Sequence, residues 1–200
     1  MCDKEFWNNR YASEDYLYGV EANSFLIEHA KSLMGPVLSL SEGEGRNAIF
    51  LALQGLQVHA VDISEVALSK AKTLAQMNKV KIQTEVADLA SFEPKKDFYG
   101  AVISIFAHLP SQVRARLYPS VEQSLKPGGL IVLEAYSQNQ LSRDTGGPKD
   151  VDMLMTVDKL KKEFPNCNPI LVQEIERDVN EGEGHSGLAS VVQFIAQKNT

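Results

Sequence analysis

The stretch from Val37 to Asp62, VLSLSEGEGRNAIFLALQGLQVHAVD, limits what this chain can become more than any other. Its apolar start, Val37 to Leu40, predicts a short strand that gives way to Gly43-Glu44-Gly45. Ala48, Ile49, Leu51, Ala52 and Leu53 then recur at helical spacing until Gly55 stops them. A second strand, Val58 to Val61, ends on Asp62. Strand, glycine turn, helix, strand and acid in that order make a nucleotide-binding βαβ unit. The glycines let the backbone pass close to a ligand, and a helix start presents N–H groups that have no intrahelical partner. Asp62, at the carboxyl end of the second strand, is placed to accept hydrogen bonds from a ribose diol.

Taken alone, the unit leaves two cofactor classes open. Gly43-Glu44-Gly45-Arg46-Asn47-Ala48 satisfies the dinucleotide fingerprint G-x-G-x-x-G/A, so an NAD-binding oxidoreductase fits. Glu42 and Glu44 weigh against it, because carboxylates beside the glycines are unwelcome near a pyrophosphate and suit a cationic or hydroxyl-bearing ligand.

The rest of the chain alternates in the same way. Residues 1–20 hold Phe6, Trp7, Arg10, Tyr11, Tyr16 and Tyr18 without clean periodicity, and 22–34 form an amphipathic helix. Ser64 is an N-cap for a helix carrying Ala67, Leu68, Ala71, Leu74 and Ala75. Strand three covers Val80 to Val86, and strand four, Ala101 to Phe106, is apolar enough to be buried on both faces. A helix opens at Pro110-Ser111, with Pro119 expected to kink or split it. Lys126-Pro127-Gly128-Gly129 turns into strand five, Leu130 to Ala135. A loop over 136–150, a helix from Thr156 to Phe164 and two strands, Ile170 to Glu176 and Ser190 to Ala196, complete the pattern. The expected fold is α/β: a doubly wound, Rossmann-like sheet of seven mostly parallel strands, with a terminal antiparallel hairpin and helices on both faces in three layers. Two hundred residues with no linker or repeat suit one domain over 1–200. In such sheets ligands bind beyond the carboxyl ends of the strands.

Composition narrows the function class. A formal net charge of −6, with no basic cluster interleaved with aromatics, speaks against nucleic acid or an anionic membrane as partner. No apolar run approaches the roughly 20 residues that span a bilayer. The start, MCDKEFWNNRY, has no signal-peptide core, and Cys2 and Cys167 make neither a disulfide framework nor a metal site. A cytoplasmic protein, monomer or homodimer, is the expectation.

Gly43-Glu44-Gly45, Asp62, Asp88-Leu89, the Lys126-Pro127-Gly128-Gly129 turn and the closing hairpin together resemble the class I S-adenosyl-L-methionine (SAM) dependent methyltransferases, from about Trp7 to Ala196. Chain length and the aromatic N-terminal segment look closest to the branch holding tellurite-resistance and thiopurine methyltransferases. The resemblance implies methyl transfer from SAM to a small-molecule acceptor by in-line displacement. It assigns Gly43 and Gly45 to the methionine part of SAM, Asp62 to the ribose hydroxyls and Ile63 to the adenine face. Asp88 would accept from the adenine amino group, the Leu89 N–H would reach a ring nitrogen, and Ile105 or Phe106 would border the methyl donor. The chain departs from the family's opening: Ser39 stands where an acid is usual, Ser41 where the first glycine is, and Tyr99 where strand four often has an acid. Glu42 is the candidate to supply the missing carboxylate to the ligand's amino group. The altered motif keeps a non-catalytic SAM-binding protein as the alternative beside the oxidoreductase.

Trp7, Arg10, Tyr11 and Tyr18 are candidates for a lid over the ligands, with plain packing on the core as the competing role. Tyr136 and Arg143 of the 136–150 loop are candidates for the acceptor pocket. His185, in the glycine-rich tip Glu183-Gly184-His185-Ser186-Gly187, titrates near working pH in its unperturbed state and is the candidate catalytic residue, to orient or deprotonate an acceptor.

Overall fold

The structure is a computed structural model that describes residues 4–182 and 185–199; Cys2 and the Glu183-Gly184 pair of the hairpin tip lie outside the described residues. Seven strands form one sheet in the order β3-β2-β1-β4-β5-β7-β6. They are β1 (Val37–Leu40), β2 (Val58–Asp62), β3 (Gln83–Val86), β4 (Tyr99–Ile105), β5 (Leu125–Tyr136), β6 (Cys167–Asn180) and β7 (Ser186–Lys198). The first five pair in parallel, and β7 runs antiparallel to both β5 and β6. β6 therefore points the same way as β1–β5, which brings the tip after it to the carboxyl edge of the sheet.

The apolar runs explain the layering. β1, β2 and β4 are buried along their whole length, as expected of strands covered on both faces. On one face Val37, Val58, Ala60, Ala101 and Ile103 pack under α2 (Ser24–His29), α3 (Arg46–Leu53) and α4 (Glu65–Met77) through Leu26, Leu51 and Leu68. On the other, Leu38, Leu40, Val102 and Leu133 pack under α5 (Ser111–Ser124) and α6 (Val157–Glu163) through Leu117, Val121 and Leu160. Ser64 caps α4 as expected, accepting from Ala67 N–H at 3.1 Å.

Five local expectations change. Within residues 1–20, Lys4–Arg10 form a helix, α1, and the predicted 22–34 helix is the shorter α2 followed by a 3-10 turn, Ala30–Ser32. Pro119 does not split α5, which runs unbroken for 14 residues. The 136–150 loop contains a 3-10 turn, Gln138–Ser142, and β6 and β7 reach 14 and 13 residues because they pair along nearly their full length.

Candidate active site

The carboxyl ends of β1, β2, β4 and β5 and the tip after β6 converge on one edge. The glycine turn is built from within. Ser41 takes φ +50°, the left-handed backbone that the usual glycine would adopt. Gly43 (φ +66°) lies so near the N-terminal segment that an added Cβ would sit 3.0 Å from the Tyr11 hydroxyl. Gly45 (φ +99°) lies against α4, where a Cβ would come within 2.7 Å of Ala71 Cβ.

Two buried acids hold this turn. Glu42 is turned inward, accepting from the Ser39 hydroxyl and from Ala48 N–H at 2.8 Å, so both oxygens serve the turn and the start of α3. Ser39, in the place of the family's acid, thus anchors the carboxylate three residues later. Burial pushes the Glu42 carboxyl up to about 7, against these hydrogen bonds and the Arg46 charge. Asp62 accepts from Gly43 N–H and Ser64 N–H, both at 2.8 Å, linking β2 to the turn after β1. Burial also raises its pKa, opposed by those N–H groups. Each Asp62 oxygen keeps a further acceptor site for a ligand hydroxyl.

The N-terminal segment covers this edge. Asn8 accepts from the Ser64 hydroxyl at 2.7 Å, and Lys70 of α4 donates to the Ser13 and Asp15 carbonyls at 2.9 and 2.6 Å. Lys70 also pairs with buried Glu44, between the two glycines. Tyr11 is 5% exposed and stacks on Trp7 at 5.6 Å, with Tyr18 edge-on at 6.2 Å. Burial first, and Asp62 second, raise its phenol well above the usual range. Arg10 is exposed and reaches the Tyr18 hydroxyl at 3.4 Å.

Beyond β4 lies an aromatic wall. Phe106 (φ +52°) packs at 4.8 Å from Tyr136, 4.6 Å from His185 and 6.1 Å from His108, and Tyr18 meets His185 at 4.5 Å. The His108 ring accepts from Tyr136 N–H through Nε2 at 3.1 Å, and burial lowers its pKa to about 4. His185 is 8% exposed, not an open turn residue, and its Nδ1 is buried without a hydrogen-bond partner. Burial, followed by His108, Arg46, Arg10 and Arg177, pushes its pKa down to about 3. His185 is thus a buried imidazole whose pKa lies below its ordinary value, not an exposed turn residue.

The other candidates are distributed around this edge. Ile63 is half-buried and Ile105 buried at the ends of β2 and β4. Leu89 is buried, and Asp88 is exposed and caps the turn after β3 by accepting from Ala90 N–H at 2.8 Å. Tyr136 is fully buried in the aromatic wall, whereas Arg143 turns away to pair with Glu176 on β6. A separate cleft of ≈ 310 Å³, lined by Pro36, His59, Lys81 and Phe98 among others, flanks the amino ends of the strands and shares no residue with this edge. Sequence reasoning missed a buried polar cluster of Asn23, Arg46, Glu134, Arg177, Glu181 and Gln193 beneath the hairpin tip. Its signal was present: an acid, Glu134, inside the apolar run of β5.

Residues 37–129 match a family described as Methyltransferase domain. The chain is 28% identical over 179 residues to thiopurine S-methyltransferase of Vibrio atlanticus, covering 77% of this chain and 79% of that one. Thiopurine S-methyltransferase of Vibrio cholerae is 28% identical over 165 residues, covering 71% and 75%. Among solved structures, the fold matches TehB from Haemophilus influenzae with TM-score 0.71 at 17% identity, over 98% of this chain and 67% of that one. It also matches, with TM-score 0.81 at 16% identity over 98% and 91%, a chain from work on converting a disulfide bond into a thioacetal group during echinomycin biosynthesis. Glycine turn, strand order and matched domain agree: residues 37–129 carry a methyltransferase domain, the sheet has the fold of solved SAM-dependent methyltransferases, and the chain is similar to thiopurine S-methyltransferases.

Proposed function

We propose that this methyltransferase acts on a small acceptor that arrives as a soft anion, a thiolate or a related chalcogen anion. The observation that carries the reading is the unpartnered Nδ1 of His185 set among the rings of Tyr18, Phe106 and Tyr136. An acceptor that is already an anion requires no general base. An imidazole with a pKa near 3 is too weak a base to take a proton at neutral pH, but it orients a bound group by hydrogen bonding. The name of the relatives, thiopurine S-methyltransferase, supports sulfur as the accepting atom.

The residues present fit SAM. Asp62 has free acceptor sites for the ribose hydroxyls, and the turn that would face the methionine part is held by Gly43 and Gly45, whose positive φ and packing on Tyr11 and Ala71 exclude a Cβ. Ile63, Leu89 and Ile105 would supply apolar contacts to the adenine and the donor, with Asp88 at the adenine amino group. SAM, when bound, supplies an electrophilic methyl on a sulfonium. Attack by an anion on that cation removes charge, and a wall with little water favours such a step. Tyr11, Trp7, Arg10 and Tyr18 act as the lid that keeps water out, and the inward Glu42 sets the turn instead of touching the ligand. The reading extends to one domain over 1–200, acting in the cytoplasm as a monomer or homodimer without nucleic acid, in keeping with the net charge of −6. Among the described residues no helix is long and apolar enough to cross a membrane.

Calorimetry with S-adenosylhomocysteine, followed by product assays with thiophenol, tellurite and a matched amine and alcohol, tests the proposal. Micromolar binding by the wild type, weakened in Asp62→Ala, and turnover of the thiol or tellurite are expected. Full affinity in Asp62→Ala would sink the cofactor assignment, and turnover of only the amine or alcohol would sink the soft-anion acceptor.

A further inference from the structure

Two carboxylates and two guanidinium groups lie together beneath the hairpin tip. Glu134 is 0% exposed and accepts from Asn23 Nδ2 at 2.6 Å, Gln193 Nε2 at 2.7 Å and Arg177 Nε at 2.9 Å. Glu181 accepts from Arg46 at 2.5 Å, Asn23 at 2.9 Å and Arg177 at 3.1 Å. The partners come from the cap of α2, the first residue of α3, and β5, β6 and β7.

Such a cluster is a poor route to stability, because taking the charges out of water costs about what their attraction returns. Its connectivity is more telling. Arg46 follows Gly45 directly, so its guanidinium reports the position of the glycine turn. Glu181 uses its side chain on Arg46 and its backbone N–H on the His185 carbonyl, at 2.8 Å. One residue thus touches the cofactor half and the aromatic wall. Gly182 beside it presses on the N-terminal segment, where an added Cβ would run into the Leu17 carbonyl and lie 2.7 Å from Tyr18 Cα.

We infer that the Arg46–Glu181 ion pair is a positioning clamp that fixes the separation between the glycine turn and the His185 wall, an inference that rests on the methyltransferase reading above. Neither residue touches a reacting atom; both act through the parts they hold. In-line displacement is sensitive to this separation, since a misplacement of about 1 Å costs roughly 100-fold in rate.

The test compares the wild type with Glu181→Gln and Arg46→Lys, the second keeping the charge and losing the planar fork. S-adenosylhomocysteine affinity is measured by calorimetry, kcat and KM with SAM and thiophenol, and the His185 ring by ¹⁵N NMR of the unliganded protein. The clamp predicts affinity within about threefold of wild type, kcat lowered about tenfold or more, and displaced His185 ring resonances. A kcat within about twofold of wild type in both variants would overturn it. So would a parallel fall in affinity, kcat/KM and Tm with the His185 resonances unmoved, which is what general loosening produces. If Glu181→Gln does not melt cooperatively, Arg46→Lys decides by the same measurements. If the wild type neither binds S-adenosylhomocysteine nor turns over thiophenol, that failure belongs to the methyltransferase reading. The clamp then stands if the His185 resonances move and falls if they do not.

Discussion

From β1 to β4 the contacts that shape the carboxyl edge are short along the chain. Glu42 reaches Ala48 across 6 residues, and Gly43 reaches Asp62 across 19. From β5 onward they are long: Asn23 to Glu134 spans 111 residues, Arg46 to Glu181 135, and Asn23 to Glu181 158. The first half binds its turn with backbone N–H groups and carboxylates that lie inside one βαβ unit. The second half gathers an N-terminal cap, a late strand pair and a loop around His185, held by buried charge. On the proposed reading, cofactor recognition rests on a self-contained motif, and acceptor recognition on parts that only the finished fold brings together.

The most damaging way to probe the contrast is Arg177→Met, which leaves Glu134 and Glu181 with fewer partners. Breaking a buried ion pair from one side costs about 3–5 kcal/mol, read as a lower urea midpoint. A loss under about 1 kcal/mol would mean the late half does not depend on its charges. Asp62→Ala comes next: it orphans the Gly43 and Ser64 N–H groups at about 1–3 kcal/mol each and lowers S-adenosylhomocysteine affinity roughly 100-fold by calorimetry. Stability against pH separates the halves further. Glu42 has a raised folded pKa, so its contribution is fully present below about 4.5 and lost as pH rises through about 7. His108 and His185 have lowered folded pKa values, so theirs is present above about 6.5 and lost as pH falls through about 4 and about 3. The two windows overlap between about 4.5 and 6.5, so the test is a difference: the urea midpoint of Glu42→Gln relative to wild type should rise from pH 5 to 7, because both proteins carry the same histidine terms and only wild type carries the Glu42 loss. Equal curves for the two proteins would show that Glu42 does not titrate in that window. The smallest effects belong to Ser41. Glycine there stays within about 1 kcal/mol of wild type, whereas valine, poorly suited to positive φ, loses about 1–3 kcal/mol by thermal melting.

The same contrast governs what could be read in advance. Val37 to Asp62 was legible because each of its signals, apolar run, glycine pair, helix stripe and terminal acid, acts within a few residues. The Ser64 cap and strand four, expected at Ala101 to Phe106 and found at Tyr99–Ile105, were legible for the same reason. The direction of Glu42 is open in the sequence, because a carboxylate beside a glycine turn has two possible ones. Only the Ser39 hydroxyl and the Ala48 N–H, positioned by the folded turn, choose the inward one. α1 has no apolar stripe because it docks through Lys4, Asn8 and Trp7 and buries no residue fully. His185 has the neighbours of an open turn in sequence; it is buried because Tyr18, 167 positions earlier, lies against it. Glu134 was visible as an acid in an apolar strand, but its four hydrogen bonds come from residues 23, 177 and 193, far from it in the chain.

The final strand in chain order, β7, is an interior one, flanked by β5 and β6. As the chain leaves a ribosome, β1 to β5 can assemble while β5 still offers a bare edge and the 14 residues of β6 have no neighbour at all. Both wait for Ser186–Lys198. An unpaired edge of that length is open to wrong partners during synthesis. A chain cut short by a premature stop before β7 would therefore lose the neighbour of two strands at once, and the nascent protein is most exposed to aggregation just before its last strand is made.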